Sequence, residues 1–336
     1  MLRVALLGCG RIGRVHATAV TAHPRARLAW VYDPIEAAAE EVAGLHGARH
    51  STDVAAVLAD PEVDAVIIAS PTATHIDLLT AAVRAGKAVL CEKPIDLDIA
   101  RVDACRTEIE PYAPTVMLGF NRRFDPSFRE IRERVAAGEI GALEQVVIIS
   151  RDPAPPPPGY VGTSGGLFRD MTIHDFDMAR FVLGAQGGGE VVAVSAMGSN
   201  LISEEIAQVG DIDGAVVTLR SDTGALAQIT NSRRCSFGYD QRLEAFGATG
   251  MLSAQNQLPT SVRYAGAERS EAAAPYLNFF LERYTTAYAA ELDHFVAAVE
   301  SGTAPSPSFA DGRAALVLAD AAGVSLRTGA AVRVEL

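Results

Sequence analysis

The sequence predicts an α/β protein in two parts: an N-terminal parallel sheet covered by helices, then a C-terminal α/β domain built on a large, mostly antiparallel sheet. Three observations predict it. The chain has 336 residues, too long for one ordinary core and about right for two domains. Up to about Met117, short aliphatic runs alternate with stretches of helical period, the mark of a parallel sheet with crossover helices. Beyond residue 144, strand-like runs succeed one another through turns instead. We place the boundary after residue 120, giving domains 1–120 and 121–336, with the last helix able to pack back on the first domain.

The elements follow in order. Val4 to Leu7, Leu28 to Tyr32, Ala65 to Ala69, Ala88 to Cys91 and Thr115 to Leu118 are aliphatic or β-branched runs of strand length. Thr74 with Asp77 three residues on reads as a capping box. It opens a helix over His75 to Ala85 in which Ile76, Leu79, Ala82 and Val83 share a face and Gly86 supplies the left-handed stop. In the second part, Gln145 to Ser150, Val191 to Ala196, Ala215 to Leu219, Leu226 to Asn231 and Arg242 to Phe246 read as strands. Between the first two lie a proline run, Pro153 to Pro158, that excludes helix and central strand, and a helical stretch over Thr172 to Leu183. Helices over Ala287 to Glu300 and Phe309 to Leu326 flank a break at Pro305 and Pro307.

Composition narrows the function classes. A formal net charge of −12 makes nucleic acid a poor partner, because phosphate neutralisation needs clustered Lys and Arg. No apolar run approaches the roughly 18 residues of a membrane span. The apolar start at Met1 breaks into glycines after a few residues, so no targeting signal is read and a cytoplasmic location is expected. Cys9, Cys91, Cys105 and Cys235 are scattered without zinc or disulfide spacing and are expected to be reduced and structural. His16, His23, His46, His50 and His294 have no convergent partners at ligand spacing, so no metal is expected.

Gly8-Cys9-Gly10-Arg11-Ile12-Gly13 directly follows the first strand and opens a helix. In that context the glycines permit a tight turn and close backbone approach, while the helix start offers free amides and a positive dipole end to a pyrophosphate. Asp33 ends the second strand 20 residues after Gly13, where a ribose-binding carboxylate falls. A carboxylate there accepts from both ribose hydroxyls of NAD, whereas the 2′-phosphate of NADP would meet like charge and find Pro34 and Ile35 in place of a basic pair. The expected cofactor is NAD, with Arg11 as the nearest cation or a solvent-facing loop residue.

Glu92-Lys93-Pro94 sets a charged pair at the C-terminal end of a buried strand, the edge where open α/β sheets bind ligands. Asp170 and His174 lie four apart on one helical face. Taken with Ala69-Ser70-Pro71-Thr72, His75, Gly119-Phe120-Asn121-Arg122-Arg123-Phe124-Asp125 and Asp170 to Asp175, the chain resembles the glucose-fructose oxidoreductase, inositol dehydrogenase and rhizopine-catabolism family over nearly its whole length. Gly238 to Arg242 and Phe280 to Tyr284 look most like the branch that oxidises inositols.

The resemblance implies a Rossmann domain followed by an α/β domain whose open sheet commonly builds homodimers or homotetramers. It implies Lys93, Asp170 and His174 as catalytic residues, Ser70, Thr72, His75, Glu92 and Lys93 beside the cofactor, and Arg122 and Tyr239 as substrate contacts together with the catalytic three. Proton chemistry agrees: removing hydride from a carbinol requires its hydroxyl proton to leave, which a neutral imidazole can accept, a carboxylate can orient and an ammonium can support. The structural alternatives are an interdomain salt bridge for Arg122 and a packed aromatic for Tyr239, and Tyr284 is a weaker substrate candidate than either. The expected reaction is NAD-dependent oxidation of a cyclic polyol, myo-inositol to its 2-keto product or the scyllo- or D-chiro- isomer. The rivals are a dehydrogenase of a hexose or an anhydrosugar such as levoglucosan, and a non-catalytic dinucleotide and sugar sensor.

Overall fold

The computed structural model describes residues 1–336, the side chain of Pro158 excepted. The chain divides into two units, residues 1–124 with 286–314, and residues 125–285 with 315–336.

In the first unit the aliphatic runs become strands because both faces of each are covered: Val4, Leu6, Leu7, Ala65, Ile67, Ile68 and Val89 have no exposed surface. The order along the chain is β1 (Leu2–Leu7), α1 (Arg11–Ala22), β2 (Ala26–Tyr32), α2 (Glu36–His46), β3 (Arg49–Ser51), α3 (Val54–Ala59), β4 (Ala65–Ile68), α4 (His75–Arg84), β5 (Ala88–Glu92), α5 (Ile99–Ile109) and β6 (Val116–Gly119). The six strands pair in parallel in the order β3-β2-β1-β4-β5-β6, so the chain reverses its direction of winding at β1, between β2 and β4. The sequence did not announce β3, an edge strand of three residues whose His50 and Arg49 are exposed. The helix ahead of Gly86 forms as expected, with Gly86 at φ 72°, but its cap differs. Thr74 ends a 3₁₀ turn over Thr72–Thr74, and its hydroxyl donates to the Pro71 carbonyl instead of capping α4.

The second unit continues with α6 (Pro126–Ala136), β7 (Leu143–Arg151), α7 (Pro158–Val161), α8 (Ile173–Leu183), β8 (Val191–Ser199), α9 (Glu204–Gln208), β9 (Gly214–Ser221), β10 (Leu226–Ser232), β11 (Asp240–Gly247), β12 (Gly250–Ala254), β13 (Arg263–Tyr264), β14 (Ala272–Ala273) and α10 (Phe280–Arg283). The chain then forms α11 (Thr285–Ser301), α12 (Phe309–Thr328) and β15 (Val332–Arg333). Seven strands make one sheet in the order β12-β11-β7-β10-β9-β8-β15, antiparallel except for the β7–β10 pair. Alternation decides its faces: in β9, Ala215, Val217 and Leu219 are buried while Val216, Thr218 and Arg220 face out. The proline run is not wholly irregular, since Pro158 begins the short α7. Proline is tolerated at a first helical position because no amide hydrogen is needed there.

Candidate active site

The glycine loop between β1 and α1 divides its three glycines by what a Cβ would meet. At Gly8, with φ 107°, it would lie 2.7 Å from the Ser70 amide nitrogen, and at Gly13 it would lie 2.0 Å from the Gly8 carbonyl oxygen. Those two positions lock the loop onto the end of β4 and onto itself. At Gly10 a Cβ would meet nothing within 4 Å, which leaves one open backbone face at the N-terminus of α1. Residues built in this way fit the pyrophosphate of a dinucleotide: an approachable backbone, unsatisfied helix-start amides, and Arg11 exposed as the first helical residue. Asp33 stands at the end of β2, as expected, and also braces the loop, accepting from the Cys9 amide at 2.9 Å and the Ile35 amide at 2.9 Å. Burial pushes the Cys9 thiol up to about 12, with Asp33 adding to it, so Cys9 is a small buried residue and not a nucleophile.

Ser70, Thr72 and His75 follow β4. His75 is buried, its ring nitrogens 2.8 Å from the Pro94 carbonyl oxygen and 2.9 Å from that of Ser70. It ties the two loops that follow β4 and β5 together. Lys93 follows β5, half-buried. Glu92 before it is buried and bonds Nε2 of His16 at 2.8 Å, a partner that sequence spacing did not suggest. Arg122 is buried in a 3₁₀ turn over Asn121–Phe124.

In the second unit, Asp170 and His174 lie on one continuous helical stretch, but its first turn is wider than expected. Phe168–Thr172 is a π-helical turn that runs into α8, and the Thr172 hydroxyl reaches the Leu167 carbonyl five residues back. This helix is pinned by buried polar bonds: Thr172 donates to Asn231 at 2.7 Å, and Asn231 donates to Asp175 at 2.8 Å and to the Ser150 carbonyl at 3.3 Å. Asp170 is held at both oxygens, by the Tyr160 hydroxyl at 2.8 Å and by Nη1 of Arg233 at 2.9 Å. Burial pulls the Arg233 guanidinium down, but the charges of Asp170 and Asp152 and the bond to Asp170 outweigh it and leave it above its ordinary value. Asp170 is thus held between a hydroxyl and a buried cation, with the half-buried His174 one turn further along the same helical stretch.

The two segments that marked the inositol branch come together. Tyr239 packs edge-on against Tyr284 with ring centroids 6.0 Å apart and against Phe279 at 6.1 Å, and the Tyr284 hydroxyl donates to Gln241 at 3.2 Å. Both tyrosines are buried, and Tyr284 supports the Tyr239 ring.

Comparison with known proteins agrees with this architecture. Residues 2–120 match the oxidoreductase family with an NAD-binding Rossmann fold, and residues 128–253 match the GFO/IDH/MocA C-terminal domain. The chain belongs to this family. It is 49% identical to inositol 2-dehydrogenase of Rhizobium meliloti (strain 1021) over 96% of each chain. It superposes with a TM-score of 0.96 and 52% identity on a myo-inositol dehydrogenase from Corynebacterium glutamicum ATCC 13032, covering 100% of this chain and 99% of the other. A scyllo-inositol dehydrogenase from Lactobacillus casei, solved with bound NAD(H) and scyllo-inositol, superposes with a TM-score of 0.89 at 27% identity over 99% of each chain. As a GFO/IDH/MocA oxidoreductase the chain is an NAD-dependent dehydrogenase.

Within that family frame, sequence reading missed Tyr160, Arg233 and Asn231 around Asp170, and His16 behind Glu92. Each lies in a different element from the residue it serves. The run of polar side chains Asn231, Ser232 and Arg233 at the end of β10 is the one sequence signal for two of them, Asn231 and Arg233.

Proposed function

We propose that the protein oxidises one secondary alcohol of an inositol with NAD, taking myo-inositol to its 2-keto product. The observation that carries this reading is the double tether on Asp170, from Tyr160 and Arg233, beside His174 on the π-helical start of α8. It fixes the carboxylate of Asp170 beside the imidazole to which we assign the part of base. NAD, when bound, supplies the nicotinamide that accepts the hydride. Gly8, Gly10, Ile12, Gly13 and Arg11 hold its phosphates and Asp33 its ribose, with Ser70 and Thr72 beside them and Glu92 placing Lys93. His174 takes the hydroxyl proton of the reacting carbinol, and Asp170 orients the ring and stabilises the imidazolium. The Lys93 ammonium supports the charge that develops on the oxygen. Arg122 and Tyr239 meet the remaining ring hydroxyls, which a polyol pocket must match in number and direction.

Two further parts of the proposal concern the whole protein. Among the described residues no helix is long and apolar enough to cross a membrane, and we place the enzyme in the cytoplasm. Met197, Val216, Leu226, Phe246 and Met251 are exposed on one face of the seven-stranded sheet, with Met251 on β12 opposite Phe246 on β11 and Val216 on β9 opposite Met197 on β8. Exposed apolar side chains on an open sheet face support a homodimer or homotetramer.

The test is NADH formation with a panel of myo-, scyllo- and D-chiro-inositol, glucose, galactose, xylose and levoglucosan, compared by kcat/KM. An inositol is expected to lead. A leading sugar would discard the substrate and keep the proton chemistry, and silence on every polyol would favour a dinucleotide and sugar sensor.

A further inference from the structure

The first unit buries a cluster of ionisable groups that the scheme above does not use. Glu291, in the middle of α11, has no exposed surface, and neither of its carboxylate oxygens has a hydrogen-bond partner among the described residues. The charge that faces it is the carboxylate of Glu92 at the end of β5. Oε1 of Glu92 bonds Nε2 of His16 at 2.8 Å, while Oε2 accepts from the Lys93 amide at 3.4 Å. Gly119 on β6 makes room for that carboxylate, since a Cβ there would lie 2.9 Å from Oε2. Tyr288, one turn before Glu291, stands edge-on to the His16 ring with centroids 5.6 Å apart. Residues of α1, β5 and α11 therefore enclose one polar cluster directly behind Lys93.

An ionised carboxylate without donors and out of water is the least stable state such a cluster could hold, and a second carboxylate facing it makes matters worse. A neutral acid escapes both penalties. We propose that His16, Glu92 and Glu291 form a buried, electrostatically linked cluster that positions Lys93, in which Glu291 is the neutral acid and Glu92 the anion that holds the imidazole and the Lys93 amide. The proposal rests on the assignment of Lys93 to the reaction. Burial, and then the charge of Glu92, hold the Glu291 carboxyl well above the usual carboxylate range. Around it stand Glu92 on β5, His16 on α1, which bonds Glu92, and Tyr288 one turn earlier on its own helix. Asp293 is turned instead toward Arg25 and His23. When Glu291 loses its proton, two anions face each other and the clamp on Lys93 loosens.

The sign for stability follows. Between the carboxylate's unfolded value and its raised folded value only the folded chain keeps this proton, so its contribution is lost as pH rises through that window. Glu291→Gln keeps the size and neutrality of the acid and removes the titration. The test compares kcat against pH for the wild-type enzyme and this variant, with the thermal midpoint of each from about pH 5 to pH 8. Turnover near neutral pH is expected to stay within about twofold, while the alkaline fall in kcat moves up by about one pH unit or more. The variant's gain in midpoint over wild type should widen as pH rises. His16→Phe, which keeps the ring and loses the bond to Glu92, should lower kcat about tenfold with NAD affinity unchanged. Superimposable pH profiles for wild type and Glu291→Gln would overturn the proposal, as would collapse of turnover at neutral pH in a variant that melts normally. Should every polyol be inert even with the wild-type enzyme, the functional reading fails first, and the melting curves still judge the cluster: a gap constant with pH overturns it.

Discussion

The glycine loop of the first unit and the Asp170 helix of the second, the two places where we propose that ligands are met, are built from different materials. The loop works through its backbone. Gly8 and Gly13 are glycines because a Cβ has nowhere to go, Gly10 leaves an open backbone face, and the Asp33 side chain braces the loop amide of Cys9. The helix works through side chains. Asp170 depends on Tyr160 from α7 and Arg233 just after β10, and the helix beneath it depends on Asn231. A backbone-built site tolerates side-chain change except at its glycines, whereas a site held by polar side chains weakens, by unequal amounts, as each of them is removed.

That contrast can be broken experimentally. His174→Gln should produce the largest loss, about 10²–10⁴-fold in kcat with NAD affinity preserved, as expected when a general base is removed. Steady-state kinetics beside an NAD titration reads it, and comparable losses in both would mean His174 serves the cofactor instead. Next, Arg233→Met strips the buried cation from Asp170 and Asp152 and should cost about 3 kcal/mol of stability, seen as a lower denaturant midpoint, with Arg233→Lys recovering part. An unchanged midpoint would show that the second region does not depend on its side chains. Asp33→Ala should weaken NAD by about 2 kcal/mol, the order of a hydrogen bond to a charged group, and NADP much less. Equal loss for both in a binding titration would confine Asp33 to bracing the loop. The smallest effect is expected from Tyr160→Phe, about 1 kcal/mol, measured as a fall of about fivefold in kcat. Because Arg233 still holds the other oxygen of Asp170, a loss as large as that of His174→Gln would mean that Tyr160 touches substrate.

The same contrast explains what could be read in advance. Gly8 to Gly13, Asp33 and Lys93 stand at or next to the ends of strands whose aliphatic runs are visible as strings, so motif and position were legible together. The strands of the second sheet were legible through alternation, and even so Gly250–Ala254 and the edge strand Val332–Arg333 escaped, because short edge strands need few apolar residues. Asp170 and His174 could be paired by spacing, but the π-helical turn that holds Asp170 could not, since it is settled by Thr172 meeting Asn231 across 59 residues of chain. Thr74 shows the reverse error. A local capping pattern was present, yet the hydroxyl turned to Pro71 and Ser70, whose oxygens were nearer once the 3₁₀ turn had formed.

By itself the sequence determined what depends on local covalent geometry and burial pattern: a parallel sheet followed by a mostly antiparallel one, a loop only glycines can make, and a carboxylate at the end of the second strand. Tertiary structure alone decided which side chains hold the reacting groups, joining His16 to Glu92, Arg233 to Asp170 and Tyr284 to Gln241. Periodicity records which face of an element is buried. It does not record which distant polar group will lie opposite, because that depends on how whole elements pack, and a hydrogen bond requires its partners within about 3 Å.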